Sequence, residues 1–413
     1  MATSSAPIVV GIDVGTTKVC TLIAEITDDD QCEVIGVGIA PSRGLKKGAV
    51  VNTEDVIDAI GASLERAEKQ SGFDIVSAYV GISGAHIQTQ SSPGVVAVRH
   101  ADRQITEDDV DRALEAARAI SLPSDREIVH AVARNFVIDG QDGIKNPAGM
   151  IGHRIEVHTT IVSGATTSVS NLERCVQRAG IELKSLVLQP LAAGLAVLTE
   201  AERDLGVAVI DIGGGTTDVA VFMEGALTYA ASIPVGGQHV TNDITVGLRA
   251  QFATAEELKV RYGCAMPEMV PEDRVVDVAA FDGGSDGTEV SLREVSEIIE
   301  PRMVELFELV QEKLALAGHR DGLPAGIVLC GGTAQLGGLR RLASDMFRTP
   351  VRIGTPTGVY GLTDQIMTPA FATSVGLLKF GLEEGVEPVS GPRVPALSGI
   401  GSALSGWLKN LLP

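Results

Sequence analysis

At 413 residues the chain exceeds what a single hydrophobic core usually serves, so two or more domains are expected. Hydrophobic residues make up 45% and aromatics only 3%, so the core must be aliphatic. A net charge of −20 argues against a nucleic-acid partner, because gripping a phosphate backbone needs clustered lysines and arginines.

Five cysteines (Cys20, Cys32, Cys175, Cys264 and Cys330) are scattered, and no pair has zinc-ligand spacing, which points to free thiols in a reducing cytoplasm. Met1 to Pro7 lacks the basic region and apolar core of a signal peptide, and no uninterrupted apolar run approaches the ~20 residues of a membrane span.

In chain order, Val9-Val10-Gly11-Ile12-Asp13-Val14-Gly15-Thr16-Thr17-Lys18-Val19 reads as an apolar strand, a Gly-Thr-Thr tip and a return strand. Val34 to Ala40 is a further strand. Thr53-Glu54-Asp55 caps a helix to about Gln70, with Val56, Ile57, Ile60 and Leu64 on one face. Ala78 to Ile82 is an apolar strand. From His86 to Gly164 the texture changes to a small α+β insertion. It has strands at Val95–Val98, Ile128–Phe136 and Ile155–Val162, and a helix from Thr106 to about Ile120 behind an acidic first turn. His100, His130, His153 and His158 lie here, too irregularly spaced to suggest a metal site, and the insertion is expected to make protein contacts.

Ser168 to Ala179 is a helix and Leu183 to Leu188 a strand. Gln189-Pro190-Leu191-Ala192-Ala193-Gly194 then opens an apolar helix, Leu195 to Thr199. A polar Gln189 between a buried strand and a buried helix is either a helix cap or a residue that positions an attacking water.

The opening motif returns as Val209-Ile210-Asp211-Ile212-Gly213-Gly214-Gly215-Thr216-Thr217-Asp218-Val219-Ala220-Val221-Phe222. Glycines permit the turn and let a ligand approach the backbone, whose exposed N–H groups suit anionic oxygens. Asp13 and Asp211 end the two incoming strands, where carboxylates can hold a hydrated Mg²⁺. Two such hairpins suggest duplicated halves facing each other across a phosphate.

Ser232 to Gly237 is another glycine turn, ending in Gly236-Gly237. Thr241 to Phe252 is a helix, and Thr254 caps the next, where Glu256 and Lys259 share a face at i and i+3. They form either a surface ion pair or a clamp on ribose and base. Cys264 to Thr288 is loop-like, with strand character at Arg274 to Ala279, and Ser291 to Ala317 is a long helix with Pro301 inside. The strand Gly326 to Cys330 runs into Gly331-Gly332-Thr333 and a helix, Leu336 to Phe347, a common setting for a nucleotide at the end of a sheet. Pro369 to Leu382 is a closing helix.

The next stretch, with Pro388, Pro392 and Pro395, reads as a flexible linker. Ser398 caps a terminal helix whose one face carries Ile400, Leu404, Trp407, Leu408, Leu411 and Leu412. The pattern favours an interfacial helix over docking on protein. Six large apolar side chains release ~10 kcal/mol on burial, against ~1 kcal/mol or more for each residue ordered. The balance is a weak anchor that needs many copies acting together.

Two phosphate hairpins, a connecting helix, a glycine-rich adenosine element and a closing helix, in that order, resemble the actin/Hsp70/hexokinase superfamily. Within it, the insertion, the Pro234 to Ile244 stretch and the terminal amphipathic helix resemble the FtsA family of actin-like bacterial cell-division proteins. The resemblance implies an α/β, actin-like two-domain ATPase fold of duplicated ribonuclease-H-like halves. The first domain core would take 1–85, 165–200 and 365–383. The α+β insertion would take 86–164, the second domain 201–364, the linker 384–397 and the membrane-targeting helix 398–413.

By the same resemblance, ATP and Mg²⁺ are the cofactors. Asp13 and Asp211 would face the metal through water, with Asp211 and Gln189 acting in at most slow hydrolysis. Gly15, Thr16, Thr17 and Lys18 would hold phosphates from one side, and Gly213, Gly214, Gly215, Thr216 and Thr217 from the other, near Gly236 and Gly237. Glu256 and Lys259 would contact ribose or base, with Gly331, Gly332 and Thr333 beneath the adenosine. Implied partners are the FtsZ C-terminal peptide, other copies of the chain in a filament, acidic lipid and later division proteins, all on the cytoplasmic face of the membrane at the division site. A PilM-like pilus-assembly scaffold is the alternative. A sugar kinase would not need the amphipathic tail, an Hsp70-type chaperone would need a further domain, and an MreB-type filament would lack the insertion at this place.

Overall fold

The computed structural model describes residues 7–27, 31–277 and 289–384. The expected terminal helix, with Ile400, Leu404, Trp407, Leu408, Leu411 and Leu412, lies outside the described residues, as does the linker beyond Glu384.

Two sheets repeat one strand order. In the first, Cys32–Pro41, Lys18–Ile26 and Ile8–Val14 run antiparallel in succession, then Ser77–Ile82 and Glu182–Leu188 add in parallel. In the second, Ala226–Ile233, Thr217–Met223 and Val207–Ile212 are the antiparallel set, and Ile327–Cys330 and Val351–Ile353 the parallel pair. The first sheet gains a short outer strand, Tyr360–Gly361, beside Cys32–Pro41. The central strands are β-branched and buried on both faces, as sheets covered by helices require.

Two apolar helices fill the space between the sheets. The connecting helix Gln189–Val197 and the closing helix Ala372–Glu383 share a core with Val9 and Leu22 of one sheet and Val209, Phe222 and Val328 of the other. They meet at Gly376, where a Cβ would lie 1.8 Å from the Ala192 carbonyl oxygen, and the connecting helix meets the second sheet at Gly194, where a Cβ would lie 2.3 Å from the Phe222 ring.

The insertion is an antiparallel sheet ordered Gln88–Ala97, Arg154–Ala165, Arg126–Ile138 and Gln141–Ile144. The helix Glu107–Arg118 lies on it, held by a Thr106–Asp109 capping box and a core that includes Ile105, Val110, Phe136 and Ile155. Its first strand starts at Gln88, well before Val95, because ladder pairing with Arg154–Ala165 overrides the weak strand preference of glutamine, serine and glycine.

Several element starts differ from expectation. The helix expected from Thr241 begins at Gly237, behind an extended Gly236 whose N–H is accepted by His239 Nδ1. Thr254 is no cap; it is buried inside the helix Phe252–Tyr262, which starts after an extended Gln251. The connecting helix begins at Gln189 itself. The helix expected from Leu336 begins at Leu339 instead, behind Gly338 at φ 73°, and a separate 3-10 turn, Gly332–Gln335, precedes it. The closing helix is likewise preceded by a separate 3-10 turn, Pro369–Phe371. The long helix Leu292–Leu316 contains Pro301. The strand expected at Arg274–Ala279 is present as Val275–Asp277, paired with Glu289–Ser291.

Candidate nucleotide site

The two hairpins end alike. Gly15 N–H donates to Lys18 O at 3.0 Å, and Gly213 N–H donates to Thr216 O at 2.9 Å. The tips also abut. A Cβ on Gly214 would stand 2.0 Å from Thr17 Oγ1, and one on Gly215 2.7 Å from Thr16 Oγ1, so the glycine triplet is what lets the halves close.

Between them opens a cavity of about 380 Å³, within the ~300–1,000 Å³ common for small-molecule sites. Asp13, Gly15, Thr16, Thr17 and Lys18 line it from the first hairpin. Asp211, Gly213, Gly214 and Thr216 line it from the second. Gln189, Gly237, Glu256, Lys259, Gly331, Gly332 and Thr333 also line it.

Three sequence candidates stand behind the wall. Gly215 packs on Thr16. Thr217 is fully buried and donates through Oγ1 to Val235 O at 2.9 Å. Gly236 lies against the second tip, where a Cβ would come within 2.7 Å of Gly213 O. Gly237 N–H and Gln238 N–H donate to Gly213 O and Gly214 O, so the helix start is docked on the tip.

Four more polar side chains reach the carboxylates. Ser374 Oγ donates to Asp13 Oδ2 at 2.9 Å, and Thr373 Oγ1 donates to Asp211 Oδ2 at 2.8 Å. Both lie on the closing helix, where a Thr-Ser pair among buried apolar neighbours was the available signal. Asp218, cross-strand partner of Asp211, lines the cavity too and accepts from Ser83 Oγ at 3.0 Å. It closes the second copy of the motif and, directly opposite Asp211 in the ladder, points to the same face of the sheet.

The electrostatics are those of a dry site with excess acid. Burial raises the Asp13 carboxyl, opposed by Lys18 and by the Ser374 hydroxyl. Burial pushes Asp211 up to about 7, with Asp218 adding to the rise, and burial pushes Asp218 up to about 6. Lys18 is held down by burial; its Nζ donates to Ala370 O at 2.8 Å and sits 3.2 Å from the Phe371 ring centre. Among the described residues no three His, Cys, Asp or Glu side chains gather as a direct metal site. Asp13 and Asp211, each with one oxygen already bonded to a hydroxyl, fit a hydrated cation held through water.

At the far side, Lys259 Nζ donates to Glu256 Oε2 at 2.7 Å, Thr241 Oγ1 at 2.8 Å and Gly237 O at 3.1 Å. Thr333 Oγ1 donates to Gly213 O at 3.1 Å, tying the glycine element to the tip. The wall thus offers backbone amides, hydroxyls and one ammonium for phosphates, and paired carboxylates for a cation.

The family described as "Cell division protein FtsA" matches residues 208–376, and "SHS2 domain inserted in FTSA" matches residues 84–163. Cell division protein FtsA of Pseudomonas aeruginosa is 44% identical over 386 residues, covering 94% of this chain and 92% of its own. Among solved structures, a chain of the PilM-PilN type IV pilus biogenesis complex superposes with a TM-score of 0.63 at 17% identity, covering 91% of this chain and 98% of that one. MreB5 of Spiroplasma citri bound to ADP superposes with a TM-score of 0.53 at 16% identity, covering 91% and 96%. Those two likenesses speak for the fold, which is actin-like with an inserted α+β subdomain. Identity sustained over nearly the whole length speaks for more: this chain belongs to the FtsA family of cell-division proteins.

Proposed function

We propose that this chain binds Mg·ATP between its two hairpins and polymerises on the cytoplasmic face of the membrane. There it would anchor the FtsZ ring through the FtsZ C-terminal peptide and help recruit later division proteins. The observation that carries the reading is the repeated Asp-Gly-Thr hairpin: Asp13 and Asp211 stand at matching strand ends, on one cavity, in a chain of this family. Gly15 to Lys18 hold the phosphates from one side, and Gly213, Gly214 and Thr216 from the other. Asp13 and Asp211 would hold Mg²⁺ through water, and the bound ion would supply the charge neutralisation that phosphoryl chemistry needs. Glu256 and Lys259 hold ribose or base, and Gly331, Gly332 and Thr333 lie beneath the adenosine. Gln189 orients the attacking water, with Asp211, in hydrolysis that is at most slow.

Attachment rests on Ile400, Leu404, Trp407, Leu408, Leu411 and Leu412, one apolar face at helical spacing. No helix among the described residues is long and apolar enough to cross a membrane. The test is sedimentation with acidic-lipid vesicles and Mg·ATP, comparing the full chain with one ending at Leu397. Loss of pelleting on truncation supports the tethered filament. Equal pelleting of both removes the tail from the reading. If neither pellets, the tail docks on protein and a PilM-like scaffold becomes the better account.

A further inference from the structure

The strand Glu182–Leu188 is the edge of the first sheet, so its outward N–H groups have no ladder partner. At its end the chain turns into the connecting helix at Leu188, which has φ −59°, ψ 119° and no side-chain cap. The N–H of Leu188 is taken instead by a residue of the inserted sheet: it donates to His130 Nε2 at 3.0 Å. His130 lies on the strand Arg126–Ile138, opposite Val162. Its ring is braced edge-on by Phe380 of the closing helix, with centroids 5.7 Å apart, and Phe380 is braced in turn by Tyr79 at 6.0 Å.

The residue after Leu188 is Gln189, whose Nε2 donates to Asp13 Oδ1 at 3.1 Å. Its path runs over Gly81, where a Cβ would lie 3.0 Å from Gln189 Cγ. The geometry points to His130 as a positioning residue: through the Leu188 N–H it fixes the strand end from which Gln189 reaches Asp13, making the inserted sheet part of the hydrolytic framework. This rests on the reading of Gln189 as the residue that orients the attacking water. Nε2 can accept only in the neutral, Nδ1-protonated ring. Burial, with Arg118 contributing, lowers His130 to about 4, so the acceptor is present through the neutral range.

The experiment is single-turnover hydrolysis of bound Mg·ATP by the full chain, with ATP affinity measured in parallel. The variants are His130→Leu, His130→Gln, Gln189→Ala and the His130→Leu/Gln189→Ala double. Released from its brace, Gln189 is displaced, and misplacement of such a group costs on the order of tenfold or more in rate. His130→Leu is therefore expected to slow hydrolysis about tenfold at unchanged ATP affinity. His130→Gln, whose amide oxygen can accept, is expected to recover most of the rate. The double variant should be no slower than Gln189→Ala, since both act through one group. A wild-type rate in His130→Leu beside a slow Gln189→Ala overturns the positioning role and leaves the role of Gln189 standing. A wild-type rate in Gln189→Ala overturns both. If both His130 variants lose affinity, rate and melting temperature together, the histidine is structural and the proposal fails.

Discussion

Gln189 Nε2 donates to Asp13 Oδ1 at 3.1 Å, joining the first residue of the connecting helix to the strand end of the first hairpin. The two side chains are 176 residues apart in sequence and meet because Gly81, on the strand between them, leaves room. Gly81 has no left-handed backbone conformation, so alanine can occupy its strand without strain. Its methyl would press on Gln189 at 3.0 Å from Cγ and 3.2 Å from Nε2. Gly81→Ala is therefore expected to lower turnover of bound ATP by roughly tenfold. ATP affinity should stay within about twofold, the pattern of an interaction used only in the reacting state. Single-turnover kinetics beside equilibrium ATP binding decides it; an affinity loss without a rate loss would show that Gln189 serves binding instead.

Asp211 and Asp218 face each other across the second hairpin, and burial raises both, to about 7 and about 6. In the unfolded chain both titrate near ~3.9. Between those values the folded chain holds protons that the unfolded chain has lost, so stability falls as pH rises. The contribution is fully present below the unfolded value and is lost as pH climbs through the folded ones. The nucleotide-free protein should thus melt at a lower temperature near pH 8 than near pH 5 at matched ionic strength, and Asp218→Asn should flatten that slope. Melting curves across this range check it, and a rising slope in the wild type that Asp218→Asn leaves untouched would sink the idea.

The hairpins, the insertion and the closing helix are legible because each is a local pattern: alternation, a glycine tip, an acidic first turn, an apolar helix. The glycine triplet and the two aspartates announced a cavity before any contact was known. What stayed hidden depends on partners distant in sequence. Thr373 and Ser374 carry no local mark of a role in the closing helix; only the fold brings them onto Asp211 and Asp13. His130 read as one of four scattered histidines until the inserted sheet docks on Leu188. The helix starts at Gly237, ahead of Thr241, because the Gly237 and Gln238 N–H groups find acceptors on Gly213 and Gly214, which are distant in sequence.

Lys259 is buried against Gly237, Thr241 and Glu256, at the end of the cavity away from Gln189. Lys259→Met keeps the stem and removes the ammonium. Hydrogen bonds to charged groups are each worth ~1.5–3 kcal/mol. If Lys259 helps clamp the nucleotide, this variant should weaken ATP binding about tenfold or more and leave single-turnover hydrolysis of the bound ATP near wild type. That is the reverse of the Gly81→Ala pattern. Calorimetric titration with ATP beside the kinetic assay separates the two; a variant that binds normally would assign Lys259 to holding the two helices together.

One substitution type should have opposite effects at two helical glycines. Gly61, in the helix Thr53–Ser71, has nothing within 4 Å of where a Cβ would stand. Gly61→Ala should stabilise the fold by ~0.5–1 kcal/mol, because alanine loses less backbone freedom than glycine on entering a helix. Gly376 sits where the closing helix crosses the connecting helix, and its Cβ would fall 1.8 Å from the Ala192 carbonyl oxygen and 2.2 Å from its carbon. Backbone cannot step aside as a side chain can, so Gly376→Ala must separate the two helices and open the core they share with both sheets. Overpacking costs ~1–3 kcal/mol even where side chains yield, and this site should exceed that. Chemical denaturation of both variants checks the pair. Because Thr373 and Ser374 ride on the same helix, Gly376→Ala should also displace the hydroxyls from Asp211 and Asp13 and weaken ATP binding, whereas Gly61→Ala should not.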